Sequence, residues 1–100
     1  MLWSIHCVDR PDSTDLRMSL RPDHLSYLKE QNALIVLAGA TLTDDGDTMT
    51  GSVFVIDAAD RAAAEAFSAA DPFTKGGLFA RVEIKRMRKG IWNPDTMPAA

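Results

Sequence analysis

Residues 69–79 read Ala69-Ala70-Asp71-Pro72-Phe73-Thr74-Lys75-Gly76-Gly77-Leu78-Phe79, and they join an alanine-rich segment to the last apolar segment of the chain. Pro72 cannot continue a helix, and it biases the preceding Asp71 away from the helical region. Gly76-Gly77 favours a turn that side chains with a Cβ make poorly. The run therefore predicts that a helix ends, that the chain turns, and that a last strand begins. The Asp71 carboxylate is held between apolar neighbours at this point, as a candidate acid/base group.

Alternating and apolar segments on either side of this turn predict four strands and two helices. The strands are expected at residues 2–8, 34–40, 51–57 and 80–87, and the helices at residues 14–31 and 61–70. In the first strand, Trp3, Ile5 and Cys7 share one face, which is the period of two expected of a strand. Residues 43–48 contain Asp-Gly, which indicates a hairpin between the second and third strands.

Both helices carry features that bear on the packing. Pro22 falls inside the first helix, and we expect it to kink or restart that helix. Leu25 and Leu28 are assigned to its buried face, with His24 at the border of that face. In the second helix Asp60 is expected to be the N-cap. Its buried stripe is predicted to be Ala63, Ala66, Phe67 and Ala70.

The order β-α-β-β-α-β predicts an α+β protein with the ferredoxin-like arrangement. Right-handed crossovers then place both helices on one face of a four-stranded antiparallel sheet. Phe54, Ile56 and Val8 are assigned to the opposite face, which nothing in a single chain covers. An uncovered apolar sheet face indicates a partner surface, so we predict a homodimer that packs sheet against sheet.

The totals restrict the classes of function. One hundred residues make one domain, which we place at residues 1–90, followed by a tail at residues 91–100. The net charge of −3 and the pI near 5.2 argue against a nucleic-acid partner. No apolar run approaches the roughly 20 residues of a membrane span, and no signal peptide is seen. The single cysteine excludes an internal disulfide, and a cytoplasmic location is expected.

Several of these segments together resemble the YCII-related (YciI-like) proteins. The resemblance extends from residue 2 to about residue 88. It is carried by Asp9-x-Pro11, Arg17, Arg21-Pro22-x-His24-Leu25-x-x-Leu28, Leu37-Ala38-Gly39, Gly51-Ser52, Ala70-Asp71-Pro72-Phe73 and Gly77-Leu78-Phe79. It implies a dimeric α/β barrel made of two ferredoxin-like halves, with an active site at His24 and Asp71. Related dimeric α/β barrels include muconolactone isomerases, dehydrochlorinase-type lyases and cofactor-free monooxygenases.

His24 and Asp71 have a chemical use as a pair. A carboxylate that accepts from one imidazole nitrogen fixes the tautomer, and the other nitrogen then acts as a general base. Such a base suits isomerisation, or elimination of a small leaving group such as HCl, and neither reaction needs a cofactor. The alternative is a buried structural pair in which Asp71 caps the helix end and His24 anchors it.

The remaining candidates are ligand contacts. Arg17 and Arg21 are spaced so that they share a helix edge with His24, and they would bind a substrate carboxylate. A solvated helix face explains them as well, and we favour it for Arg17. Gly39 and Ser52 are expected to line the pocket, although Gly39 also suits close backbone packing. Pro72 and Phe73 complete the predicted substrate contacts.

No metal site is expected. His6 and Cys7 alternate along the first strand and so point to opposite faces. Asp44, Asp45 and Asp47 do not have the spacing of a calcium loop and indicate a solvated hairpin.

The sequence thus predicts a small dimeric protein that performs cofactor-independent isomerase or lyase chemistry, dehydrochlorinase-like in type, on a small anionic or aromatic metabolite. The alternatives are a non-catalytic small-molecule-binding or interaction module and an oligomerising structural unit.

Overall fold

The computed structural model describes residues 1–99, so the last residue of the predicted tail lies outside the described residues. Four strands and two long helices follow the predicted order, with a short third helix inside the turn at residues 72–75. The strands are β1 (Leu2–Asp9), β2 (Ile35–Leu42), β3 (Met49–Asp57) and β4 (Phe79–Met87). The helices are α1 (Thr14–Glu30), α2 (Arg61–Ala70) and α3 (Pro72–Lys75).

The strands form one antiparallel sheet in the order β2-β3-β1-β4, which is the ferredoxin-like topology that the sequence predicts. The helices cover one face, and the core lies between them and the sheet. Buried apolar residues of β1, β3 and α2 form this core, with Tyr27 and Leu28 of α1 packed against it. The buried residues of this core are Trp3, Ile5, Cys7, Phe54, Ile56, Ala58, Ala64 and Phe67.

The predicted sheet faces need one correction. Phe54 pairs with Ile5, and Ile56 pairs with Trp3, so all four side chains point toward the helices. The assignment of Phe54 and Ile56 to the outer face was therefore wrong. Alternation separates two faces of a strand but does not say which of them the helices cover. The outer face instead presents the residues that alternate with these: Leu37, Val53, Val55 and Val8.

Helix α1 runs through Pro22 without the restart that was one of the two expectations for this residue. Pro22 lies on the exposed side of the helix. The buried residues of α1 are Arg17 and His24, whereas Leu25 is 44% exposed. The prediction that Leu25 is buried was wrong because this helix turns polar side chains toward the sheet.

Helix α2 begins as predicted, since the Asp60 carboxylate accepts a hydrogen bond from the backbone N–H of Ala63. Its buried residues are Ala64, Phe67 and Ser68, so the predicted stripe was correct at Phe67 and wrong at Ala63 and Ala66, which are exposed. Because this helix contains six alanines, its faces differ little in hydrophobicity. The predicted buried stripe can therefore be displaced by one residue.

Candidate active site

A contact between His24 of α1 and Asp71 joins the middle of one helix to the end of another. His24 Nδ1 lies 2.7 Å from Asp71 Oδ1, and the two side chains are 9% and 2% exposed. Because a carboxylate only accepts hydrogen bonds, Nδ1 donates, and in the neutral imidazole Nε2 is then the nitrogen that carries the lone pair. Within residues 1–99 the only fully buried side-chain nitrogen or oxygen without a partner is Thr74 Oγ1, so Nε2 reaches the adjoining cavity.

The local sequence holds the Asp71 carboxylate in place. Asp71 has an extended backbone (φ −61°, ψ 127°), as expected of a residue before proline. It ends α2 and caps α3, with Pro72 at the first position of α3. The backbone N–H of Phe73 donates to Asp71 Oδ1 over 2.9 Å, so one oxygen accepts from both Phe73 and His24. Gly77 closes the turn with φ +76°, a conformation that favours glycine.

A cavity of about 160 Å³ opens between α1 and the sheet beside His24. Arg17, Arg21 and His24 line it from the helix, as their spacing along α1 predicted. The rest of the wall is apolar or neutral and comes mainly from β2 and β3. These residues are Leu25, Leu28, Ala38, Gly39, Ala40, Met49, Ser52 and Phe54.

Arg17 does not lie on a solvated helix face, which corrects the interpretation that we favoured. Its residue exposure is 4%, and its Nε donates to Asp9 Oδ2 over 2.8 Å. Its Nη2 donates to the Gly51 carbonyl at 2.6 Å and lies 2.8 Å from Ser52 Oγ. Asp9 is also buried, so this is an interior ion pair that ties β1, α1 and β3 together.

The other predicted contacts divide into two groups. Gly39 and Ser52 line the cavity, and a Cβ at Gly39 would meet nothing within 4 Å, so close packing within the chain does not require this glycine. Pro72 and Phe73 do not line the cavity, and Phe73 is fully buried. Phe73 instead stacks against the His24 ring, so we revise its role from ligand contact to support of the histidine.

Three residues that contribute to the site were not predicted as site residues from their chemistry. Asp9 is the partner of Arg17, Gly51 supplies a carbonyl acceptor, and Met49 lines the cavity with its Sδ 4.0 Å from Arg17 Nη1. One usable signal was the aspartate at the end of β1, shortly before an arginine on the next helix. The two contacts from β3 depend on the strand register, which no local pattern reveals.

Cys7 lies beneath this site on β1 and is 1% exposed. Burial raises the pKa of its thiol to about 12, and the negative charges of Asp71 and Asp9 add to the increase. The thiol therefore stays protonated at neutral pH, which agrees with the prediction of a small core residue.

Among residues 1–99, no group of three or more His, Cys, Asp or Glu side chains is arranged to hold a metal ion. No helix in this range has the length and apolar character needed to cross a membrane.

The fold and the site define a ferredoxin-like α+β protein with a histidine–aspartate contact beside a small, partly cationic cavity. The chain belongs to the YCII-related family, because a model of the YCII-related domain matches residues 1–88. The family resemblance and the fold class that the sequence predicted are thus confirmed.

Two known proteins are similar to this chain over most of its length. The chain is 30% identical over 96 residues to Protein YciI of Escherichia coli, a match that covers 89% of this chain and 98% of that protein. It is also similar to a structure of 5-chloro-2-hydroxyhydroquinone dehydrochlorinase (TftG) from Burkholderia phenoliruptrix in complex with 2,5-dihydroxybenzoquinone. That likeness has a TM-score of 0.84 and 37% identity over 90% of this chain and 96% of TftG.

A more distant likeness shows the fold alone. An uncharacterized NIPSNAP domain protein from Burkholderia xenovorans matches 95% of this chain and 100% of its own, with a TM-score of 0.52 and 19% identity.

Proposed function

We propose that this protein is an acid/base enzyme that eliminates a small leaving group from a small hydroxylated ring, in the manner of a dehydrochlorinase. One observation carries the proposal: His24 is held at Nδ1 by Asp71 while Nε2 faces the cavity. This is the arrangement expected of a general base, with one nitrogen fixed by a partner and the other available to the substrate. Asp71 does not line the cavity, so its proposed role is to position His24.

The reaction requires only proton transfers and the departure of chloride. His24 Nε2 takes a proton from a ring hydroxyl and returns it to the ring carbon that bears chlorine. His24 Nε2, which has returned its first proton, then accepts the proton of a second hydroxyl. The electrons of that O–H bond form the new C=O bond, the ring π electrons shift, and the carbon–chlorine bond breaks so that chloride leaves with both of its electrons. The second proton passes from His24 to solvent. The substrate has lost HCl, and no external oxidant or reductant is needed.

Two further observations support this choice. TftG, which is 37% identical to this chain, is named as a dehydrochlorinase of a chlorinated hydroxyhydroquinone. The cavity here has a volume of about 160 Å³, which suits a single ring. The alternative function is a binding module without turnover, which the same small cavity also supports. The test below distinguishes this module from the enzyme.

The test is to incubate the purified protein with 5-chloro-2-hydroxyhydroquinone and to measure chloride release. We expect turnover by the wild type and a loss of about 10²-fold or more in His24→Asn, because a positioned general base contributes about that much. Asp23→Asn is the matched control, since Asp23 is exposed on the same helix. Binding of the substrate with no chloride release would instead support the binding module. Equal rates in wild type and His24→Asn would refute the assignment of the base.

We also infer that two chains associate through the outer sheet face, and that the protein acts in the cytoplasm. In the single chain, Val53 and Leu37 are 37% and 43% exposed on this face, next to the half-buried Val8 and Val55. Leu37 and Val55 are paired across β2 and β3, Val53 lies two residues along β3, and Val8 lies on β1. Exposed apolar residues gathered on one sheet face are typical of an association surface.

Light scattering during size-exclusion chromatography tests this association. We expect a mass of about twice the 10.9 kDa of the chain and a shift toward the monomer in Val53→Glu. Met18→Glu is the control, because Met18 is exposed on α1 and away from the sheet. A monomer at all micromolar concentrations would exclude this interface.

A further inference from the structure

The tail that follows β4 carries exposed apolar side chains. It lies outside residues 1–88, the part of the chain that the YCII-related domain covers. Ile91 is 85% exposed and Trp92 is 50% exposed. Single apolar residues at a surface are ordinary, but these two are adjacent and line the same groove. Apolar residues grouped in this way indicate a contact with another surface.

The groove has a volume of about 260 Å³ and lies between the start of the tail and one end of the outer sheet face. Each strand contributes an outward residue to its floor. Leu37 of β2 is paired with Val55 of β3. Leu2 of β1 is paired with Met87 of β4. Among the described residues that line the groove only Lys89 is charged, so the groove suits an apolar side chain.

An apolar side chain and an apolar groove thus lie next to each other on one surface. Ile91 borders the groove but is almost fully exposed, so it does not fill the groove of its own chain. A two-fold axis beside such a surface brings Ile91 of each copy to the groove of the other, because an isologous interface is self-complementary. Leu37 and Val55 also belong to the outer face through which we infer that two chains associate. The groove is therefore continuous with that face, and a second copy provides the apolar side chain.

We propose that the tail is part of the interface between two copies of this chain, with Ile91 of each copy bound in the groove beside Trp92 of the other. Because the axis repeats the contact, each dimer buries two Ile91 side chains and shields two Trp92 rings. The inference rests on the association through the outer sheet face, to which it adds the tail. It does not involve the cavity beside His24, which lies between α1 and the opposite face of the sheet.

The fluorescence of Trp92 tests this contact directly. Trp3 is 4% exposed, so iodide at constant ionic strength quenches mainly Trp92. Quenching and light scattering are measured on the full chain over the same range of concentrations. As the mass rises from that of the monomer to that of the dimer, the quenching constant should fall by about twofold or more, because residues inside an interface are shielded from solvent.

A matched pair of tail variants tests the proposed occupant of the groove. Ile91→Asp should raise the Kd of the dimer by about a hundredfold or more, because two apolar side chains lose their burial and two charges take their place. Met97→Asp is the control, since Met97 is an exposed apolar residue of the same tail that does not line the groove. Its Kd should stay within about twofold of the wild type. Both side chains are exposed in the single chain, so neither change disturbs its core.

The outcomes separate the tail contact from the association of the sheets. A dimer in which Trp92 is quenched as strongly as in the monomer would overturn the tail contact and leave the sheet association standing. Equal Kd values for Ile91→Asp and Met97→Asp would do the same. A wild type that stays monomeric at every concentration would overturn both. None of these readouts requires turnover, so they are independent of the proposed reaction.

Discussion

The ring of His24 lies parallel to the ring of Phe73, with the centroids 3.8 Å apart and 13° between the planes. Phe73 is itself fixed, since the edge of Phe79 meets it at 6.0 Å and the guanidinium carbon of Arg17 lies 4.6 Å from its centroid. The histidine is thus held by Asp71 at one nitrogen and by Phe73 across its face. A ring held in two ways keeps Nε2 in one direction, which is what a general base requires.

Phe73→Leu should loosen the histidine as well as the core. We expect a loss of about 1–2 kcal/mol in the free energy of unfolding, because stacking and cation–π contacts disappear, and a clear fall in turnover. Phe67→Leu is the control, since Phe67 is buried against Phe54 and Tyr27 but does not contact His24. Urea unfolding and chloride release measure the two effects. Equal losses of turnover in the two variants would show that the stack has no special role.

Substitutions can separate two roles of Asp71, which are to cap α3 and to supply a negative charge. Asparagine caps helices as well as aspartate does, whereas alanine costs about 1 kcal/mol. We therefore expect Asp71→Asn to be more stable than Asp71→Ala by about that amount, as measured by urea unfolding. Both variants should lose most of their turnover, since neither keeps the carboxylate that fixes the tautomer of His24. Full activity in Asp71→Asn would indicate a purely structural aspartate.

Replacement by methionine should cost much more stability at Arg17 than at Arg21. Arg17→Met leaves the buried Asp9 carboxylate without its cation, and breaking a buried pair in this way costs about 3–5 kcal/mol. Arg21→Met removes no ion pair and should change stability by about 0.5 kcal/mol or less. Thermal unfolding of both variants provides the comparison. Similar melting temperatures would contradict the assignment of Arg17 to the scaffold.

Gly51 should tolerate no side chain. A Cβ at this position would lie 2.2 Å from the backbone oxygen of Cys7 and 2.9 Å from Thr41 Oγ1. Gly51→Ala must therefore separate β3 from β1, with a cost of about 1–3 kcal/mol and displacement of the carbonyl that Arg17 binds. Gly90→Ala is the control, because a Cβ there meets nothing within 4 Å. Chemical denaturation of the two variants should differ accordingly.

The buried thiol of Cys7 should resist alkylation until the protein unfolds. Its pKa of about 12 keeps the reactive thiolate scarce at pH 8.5, so iodoacetamide should label it in urea but not in buffer. The pKa is raised on folding from 9.0, so the unfolded thiol ionises first. The stability it contributes is complete below pH 9 and is lost as the pH rises from about 9 to 12. Cys7→Ala should show a weaker decline over that window, and rapid labelling of the folded wild type would contradict this.

The order of the elements could be predicted because local signals carry it, whereas the pairing of His24 with Asp71 was implied by the resemblance to the YCII-related proteins. Proline and glycine mark the turn around Asp71, and the spacing of Arg17, Arg21 and His24 follows from the helical repeat. The burial of Arg17 could not be predicted, since its partners lie on β1 and β3 and meet only through the sheet register. The leucines of α1 indicate the wrong buried face, since the inner face of this helix carries polar side chains where it borders the cavity. In α2 the uniform alanines hid the phase of the buried stripe.

His24 and Asp71 are 47 residues apart along the chain, so their contact closes a long loop and requires that α1 and the α2–α3 turn be docked at the same time. Closing such a loop carries an entropic penalty that only a completed core offsets. The site is consequently absent from any partly folded form in which one helix has detached. Ligand binding therefore stabilises the intact fold relative to every such form. A small molecule bound at this pair would make unfolding more cooperative, in addition to taking part in the reaction.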